Sequence, residues 1–315
     1  MTVIHTANEF LPKGRKVCLA IGFFDGVHLG HQQIIRQTIA DARQHEALAL
    51  VITFDCHPNT IVAPARVPPL IYSLPQKLRA IESLGADTLL LIHFDETFSR
   101  QTGEAFIRGL ARDLGQIQSL CVGANFVFGH KRGGNVALLK QLGDELKFTV
   151  HGLAAVSLDD QPVSSTRIRE AILAGDLDAV SQMLGRAYSL SGSVTRGDRL
   201  GHQLGFPTAN VNPAGLAMPP NGVYAVHARI ISPPPSPAPG LSYRAVLNIG
   251  HRPTLQNPVP QLRIEAHLLD FQGDLYGQEL ELTFVEKLRD EKKFSSLADL
   301  RAQIARDIHE AQSRF

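Results

Sequence analysis

The chain has no tryptophan, only three cysteines and three methionines, and few aromatic residues, 6% of 315. Cys18, Cys56 and Cys121 form an odd, scattered set with no CxxC pair. That excludes a disulfide framework, leaves no basis for a structural zinc site, and fits a reducing, cytoplasmic setting. The N-terminal region lacks a long apolar run. Its one such stretch, Val17 to Phe24, falls far short of the roughly 20 residues that span a bilayer and precedes no small-residue cleavage site, so it reads as a core strand. Charge of one sign is missing too: 31 Lys and Arg against 30 Asp and Glu leave a formal net charge of +1, which argues against a general nucleic-acid binder.

What is present is a globular composition, 44% hydrophobic and 19% charged, at a length that suits two domains better than one. Up to about residue 185, short apolar runs alternate with amphipathic stretches, the pattern of βα units around a parallel sheet. Ala47 to Phe54, Thr88 to Phe94 and Leu120 to Val122 read as strands. Gln32 to Gln44, Pro75 to Ser83 and Gly103 to Leu114 read as helices, with Gly85 and Gly115 as stop signals. From Tyr188 the texture changes to punctuated alternating segments, Ser189 to Val194, Val223 to Ile231, Arg244 to Ile249, Arg263 to Leu269 and Glu279 to Val285, which predict a small antiparallel barrel. Ser296 to Ser313 reads as a closing helix with a serine N-cap three residues ahead of Asp299. The proline-rich run 232–240 reads as an exposed, stiff hairpin extension.

The densest chemistry follows the first core strand. Gly22-Phe23-Phe24-Asp25-Gly26 leads into His28-Leu29-Gly30-His31, two imidazoles one helical turn apart. A strand that ends in a glycine-rich turn and feeds a helix aims backbone N–H groups at an anion, and Gly30 permits close approach. The histidines would add donors that follow charge developing on a nucleotide phosphate; the competing explanation is an ordinary, partly exposed helix start. Thr53 to Pro58, with Asp55 and His57, is either a loop beside a base or flavin ring or a turn before Pro58. The segment Gly123 to Gly134 is not a Walker A loop, because Gly123 and Gly129 are one residue too far apart and Lys131 has no following Ser or Thr; a phosphate contact through Lys131 and Arg132 competes with a solvated turn. Ser164, Ser165 and Thr166 open a helix running to Ala174, as simple caps or as a polyphosphate site completed by Arg167 or Arg169.

In the second half, Gly205-Phe206-Pro207-Thr208-Ala209-Asn210 offers a hydroxyl and an amide oxygen, hard ligands that suit magnesium, unless it is only a polar turn. Glu265 lies in an otherwise apolar strand, pointing outward by alternation or facing a pocket as a general base. Arg289, in Leu288-Arg289-Asp290-Glu291-Lys292-Lys293-Phe294, reads as part of a charged, solvated turn.

Taken in order, these motifs, with Asn221 to Ala225, Asn248 to Thr254 and Leu275 to Gly277, resemble those of the prokaryotic bifunctional riboflavin kinases and FMN adenylyltransferases over nearly the whole chain. The resemblance implies a Rossmann-like HxGH nucleotidyltransferase domain over 1–186 and a flavokinase β-barrel with a C-terminal helix over 187–315. It implies phosphorylation of riboflavin to FMN, then adenylylation of FMN to FAD, with ATP and Mg2+. His28, His31 and Glu265 would be catalytic. Gly22, Phe24, Asp25, Gly30, Ser164, Ser165, Thr166, Arg169, Gly205 and Pro207 would bind nucleotide, while Asp55, His57, Asn125 and Arg289 would lie near the flavin, and Thr208 and Asn210 would hold the metal. The implied partners are small molecules, not nucleic acid or membrane, with a weak or transient homo-oligomer left open. Cys56, Asn125 and His202 depart from the family's usual proline, aspartate and arginine. A single-activity enzyme, a flavin-responsive regulator and an HxGH domain joined to an RNA-binding barrel are the alternatives.

Overall fold

Every residue of Val17–Ile21 is buried, because this strand becomes the centre of a parallel sheet covered on both faces. The computed structural model describes residues 1–197, 200–213, 215–231, 241–254 and 257–315; the proline-rich run 232–240 lies outside them. The strands of the sheet are β1 (Thr2–Ile4), β2 (Val17–Ile21), β3 (Leu48–Phe54), β4 (Thr88–Ile92), β5 (Ile117–Gly123) and β6 (Thr149–Leu153). Their order is β1-β4-β3-β2-β5-β6, with every pair parallel.

Alternation along β2 decides which layer each residue joins. Val17, Leu19 and Ile21 pack with residues of helices Gly103–Leu114 and Val136–Leu146, whereas Ala20 packs with α1 (Leu29–Gln44) and α2 (Leu74–Glu82). From β2 the chain winds through α1 to β3 and then α2 to β4 on one side, while β5 lies on the other. The strand order therefore reverses beside β2, and the ends of β2 and β5 flank the crevice where ligands of such sheets bind. The four expected strands and the expected helices are present, Gly103–Leu114 with the bounds expected and the others with shifted ends; β1, β6 and helix Val136–Leu146 are additional.

By its internal contacts the chain forms two units, Met1–Pro69 with Leu74–Arg167, and Leu70–Ser73 with Ile168–Phe315. In the second unit β7 (Ser189–Thr195), β8 (Ala209–Val211), β9 (Gly222–Ile231), β10 (Ser242–Thr254), β11 (Asn257–Leu268) and β12 (Glu279–Arg289) close a barrel in the order β7-β8-β11-β10-β9-β12, antiparallel throughout. Leu280, Leu282 and Phe284 alternate into the core, where Phe284 stacks on Tyr188. Helix Leu297–Gln312 closes one wall through Ile308 and Ala311 against Val223, Ala225 and Val246. Ser296 caps it as expected, accepting the Asp299 N–H at 3.1 Å. Residues 70–73 join this unit as an extended segment, with Leu70 N–H donating to the Gly215 carbonyl and Ala217 N–H donating to Leu70.

Candidate active sites

The turn after β2 is strained. Phe24, Gly26 and Val27 have φ of 54°, 74° and 42°, and a phenylalanine and a β-branched valine in left-handed geometry persist only where their surroundings over-determine them. The surroundings do so here. A Cβ on Gly22 would lie 2.7 Å from the Phe24 ring, so only glycine allows the ring to fold back. The Thr53 hydroxyl donates to the Phe23 carbonyl at 3.0 Å, and the Gln32 amide donates to Val27 at 3.0 Å.

The turn delivers His28 to the N-cap position of α1, where free backbone N–H groups and the positive helix end favour an anion. The His28 and His31 rings stack at 3.5 Å between centroids, and the edge of Phe24 meets His31 at 5.3 Å. Gly30 lies against the His28 ring. His31 Nδ1 is buried and makes no hydrogen bond among the described residues. Burial first, then the neighbouring His28 and Lys77 charges, hold His31 well below its usual value, so its imidazole is neutral at pH 7.

Of the other sequence-identified residues, Ser165 and His57 contact this turn. Asp25 is buried, and its carbonyl accepts the Ser165 hydroxyl at 3.2 Å, which brings the start of helix Ser165–Ala174 to the turn. Ser164 accepts the Arg167 N–H as a cap, while the Arg167 guanidinium is spent on the Leu158 and Gln161 carbonyls. Thr166 is exposed and Arg169 half-buried on the same helix. The His57 ring packs T-shaped with Phe23, centroids 4.9 Å apart, and accepts the Asn59 N–H through Nδ1. Asp55 accepts the Phe94 N–H at 3.1 Å and pairs with His93 at 2.5 Å. Burial alone would raise the Asp55 carboxyl, but His93 and the Phe94 amide outweigh it and hold it below the ordinary carboxylate value. Asn125 is exposed in the turn that ends β5.

In the second unit a cavity of about 360 Å³ opens between the barrel and its closing helix. Thr208, Asn210, Glu265 and Arg289 all line it, which selects the pocket-facing alternative for Glu265. Asn210 is not in a turn: it lies on the short strand β8, directly opposite Glu265 of β11. A Cβ on Gly197 would fall 2.3 Å from Asn210 Nδ2 and 2.9 Å from its Oδ1, so the missing side chain makes room for that amide. The oxygens of Thr208, Asn210 and Glu265 form a hard donor set that fits magnesium. Gly205 follows helix Leu200–Leu204, and the Pro207 carbonyl lies 2.7 Å from Nδ1 of His267, another lining residue. His202 is exposed and absent from the lining.

Arg289 differs from its sequence reading. It ends strand β12 rather than sitting in a solvated turn, and its guanidinium forks onto both oxygens of Asp307 at 2.8 and 2.6 Å. Asp307 is 2% exposed, and burying that carboxylate requires the partner that drew Arg289 inward.

Three groups were not legible beforehand: Lys77, buried beside the histidine turn; His93, paired with Asp55; and Asp307, the partner of Arg289. Only Lys77 left a trace in the sequence, as a cation on the apolar side of a short amphipathic helix.

Comparison with known proteins matches the two halves to separate family models. A family model described as FAD synthetase matches residues 11–167, and one described as riboflavin kinase matches 184–315. The chain is 36% identical over 312 residues to the bifunctional riboflavin kinase/FMN adenylyltransferase of Haemophilus influenzae, covering 99% of this chain and 97% of that protein. It is equally 36% identical to the Escherichia coli K12 protein of the same name, covering 99% and 96%. A crystal structure described as a macrolide-efflux protein from Streptococcus pneumoniae superposes with a TM-score of 0.81 at 26% identity over 99% of this chain and 98% of that one. No helix among the described residues is long and apolar enough to cross a membrane. Because both halves match in order and the identity extends over nearly the full length, this chain belongs to the family of bifunctional riboflavin kinases and FMN adenylyltransferases.

Proposed function

We propose that the protein makes FAD from riboflavin in two ATP-dependent steps, with adenylyl transfer in the region 1–186 and phosphorylation in 187–315. The observation that carries this reading is the presence, on one chain, of a stacked histidine pair at a helix N-terminus and of a cavity lined by Thr208, Asn210 and Glu265.

In the first step the riboflavin ribityl hydroxyl attacks the γ-phosphorus of ATP, its proton passes to Glu265, and ADP leaves as FMN forms. Thr208 and Asn210 are the holders of Mg2+, which when bound supplies charge neutralisation on the ATP phosphates. Gly205 and Pro207 border the nucleotide, and Arg289 shapes the flavin end through its tie to Asp307.

In the second step the FMN phosphate is already an anionic nucleophile. Its oxygen attacks the α-phosphorus of ATP, and the bond to the β-phosphate breaks to release pyrophosphate. No base is required, so the protein works by alignment and charge stabilisation. Gly22, Phe24, Asp25 and Gly30 shape the nucleotide cradle, and His28 and His31 donate to the α-phosphate as charge develops. Ser164, Ser165, Thr166 and Arg169 hold the departing pyrophosphate, with Asp55, His57 and Asn125 near the rings. On this reading the partners are small molecules rather than nucleic acid or membrane, any self-association is weak or transient, and the protein works in the cytoplasm, in keeping with its free cysteines.

Chromatography of a reaction containing riboflavin, ATP and magnesium tests the proposal. Both FMN and FAD are expected; the absence of any flavin turnover would overturn it.

A further inference from the structure

Helix α2 packs Ile81 into the core between β3 and β4, with Leu74 and Leu78 beside it, yet it also buries Lys77, which is 4% exposed. An apolar side chain would fill that space without taking a charge out of water. The ammonium is instead fully used. It donates to the Phe54 carbonyl at 2.7 Å, to the Phe23 carbonyl at 3.2 Å and to the Thr53 hydroxyl oxygen at 3.3 Å, and it stands 4.4 Å above the Phe23 ring. Thr53 and Phe54 end β3, and Phe23 begins the strained turn that ends in His28. One side chain therefore joins the neighbouring ends of β2 and β3.

We propose that Lys77 is the positioning residue of the adenylyl-transfer site: it clamps the turn that carries His28 and His31 to the end of β3. This rests on the reading of the histidine pair as the adenylyl-transfer groups. The charged and titratable groups acting on the pair of sites are Asp25 from the turn, Asp55 and Cys56 from the loop after β3, and His28 from the start of α1. Burial lowers the Lys77 ammonium to about 8, while Asp25, Asp55 and Cys56 hold it from falling further, so it remains charged at neutral pH. That charge adds to burial and to His28 in depressing His31. The outcome is a neutral imidazole held in one orientation beside an ammonium that is charged at neutral pH.

The test uses full-length K77M and K77R. In K77M, kcat for FAD formation is expected to fall about 10²-fold, as for a misplaced reacting group, with KM for FMN little changed. Imidazole NMR of the 15N-histidine-labelled, nucleotide-free protein is expected to show His31 titrating at higher pH in K77M and at its original low pH in K77R, which keeps the charge. A merely structural lysine would move neither the His31 titration nor the acid limb of the FAD pH profile. FMN formation, followed in the same mixture, reports that the kinase region is intact, and dispersed histidine resonances in the same spectra report that the region holding Lys77 is folded. If K77M fails to fold, T53V, which removes one acceptor and the hydroxyl bond to Phe23, is expected to lower kcat in the same direction by a smaller factor. Wild-type protein that forms FMN but no FAD overturns the reading of the histidine pair. Wild-type protein that forms FAD, with K77M or its substitute T53V equally fast and, for K77M, His31 unshifted, overturns the role of Lys77 alone.

Discussion

Removing Arg289 isolates the part the closing helix plays in the second unit. Arg289→Ala leaves the Asp307 carboxylate, whose side chain is 3% exposed, without both guanidinium hydrogen bonds and with the Gln303 amide at 2.8 Å as its remaining donor among the described residues. An uncompensated buried charge of this kind costs about 3–5 kcal/mol. For a unit of this size that corresponds to a fall of roughly 10 °C in its melting temperature. Differential scanning calorimetry reads that shift directly, and FMN formation falls with it, because Leu300, Ile304 and Ile308 of the same helix line the cavity. The double variant R289M/D307L recovers most of the lost stability, since an apolar pair of similar volume is about as stable as a buried ion pair. A single variant that melts with the wild type, or a double variant no more stable than the single, would refute the reasoning.

The remaining expectations concern the two reactions separately. Combined H28A and H31A substitutions let FMN accumulate while FAD formation, measured by chromatography, drops at least about 10²-fold, the scale for losing donors to a developing charge. E265Q blocks FMN formation but leaves adenylylation of supplied FMN intact; loss of both activities in a folded protein would count against the assignment. Asn210→Ala raises the magnesium needed for half-maximal FMN formation about tenfold, a loss of about 1.4 kcal/mol, and this is read by metal titration. For Lys77 the sign follows from its lowered value: between about 8 and 10.5 the unfolded chain binds more protons, so unfolding free energy rises with pH, by up to about 3 kcal/mol. Denaturant titrations across that window show the rise in wild type relative to K77M, and parallel curves would refute it.

Much of the fold was legible because the burial it requires leaves a periodic mark. The all-apolar Val17–Ile21 has the composition of a strand covered on both faces, and the alternation of Glu279–Arg289 that of a strand covered on one. Short elements were not legible. Ala209–Val211 has three residues, too few for a period, and it is a strand only because β7 and β11 pair with its two edges. The same limit separates the site residues. His28 and His31 stood out through a local spacing, whereas Arg289 was taken for a solvated turn because its partner is on a helix 18 residues further along the chain.

By itself the sequence determined the two-part architecture, the strand-to-helix turn that carries the histidine pair, and the family, since each depends on local order and hydrophobic period. Only the tertiary structure decided that Glu265 faces a cavity, that Asp55 is tied to His93, that Arg289 turns inward to Asp307, and that Lys77 lies beneath the turn. Those outcomes depend on which charges are withdrawn from water and what meets them there. Sequence distance does not report that pairing, because it is set by strands and helices packing against each other.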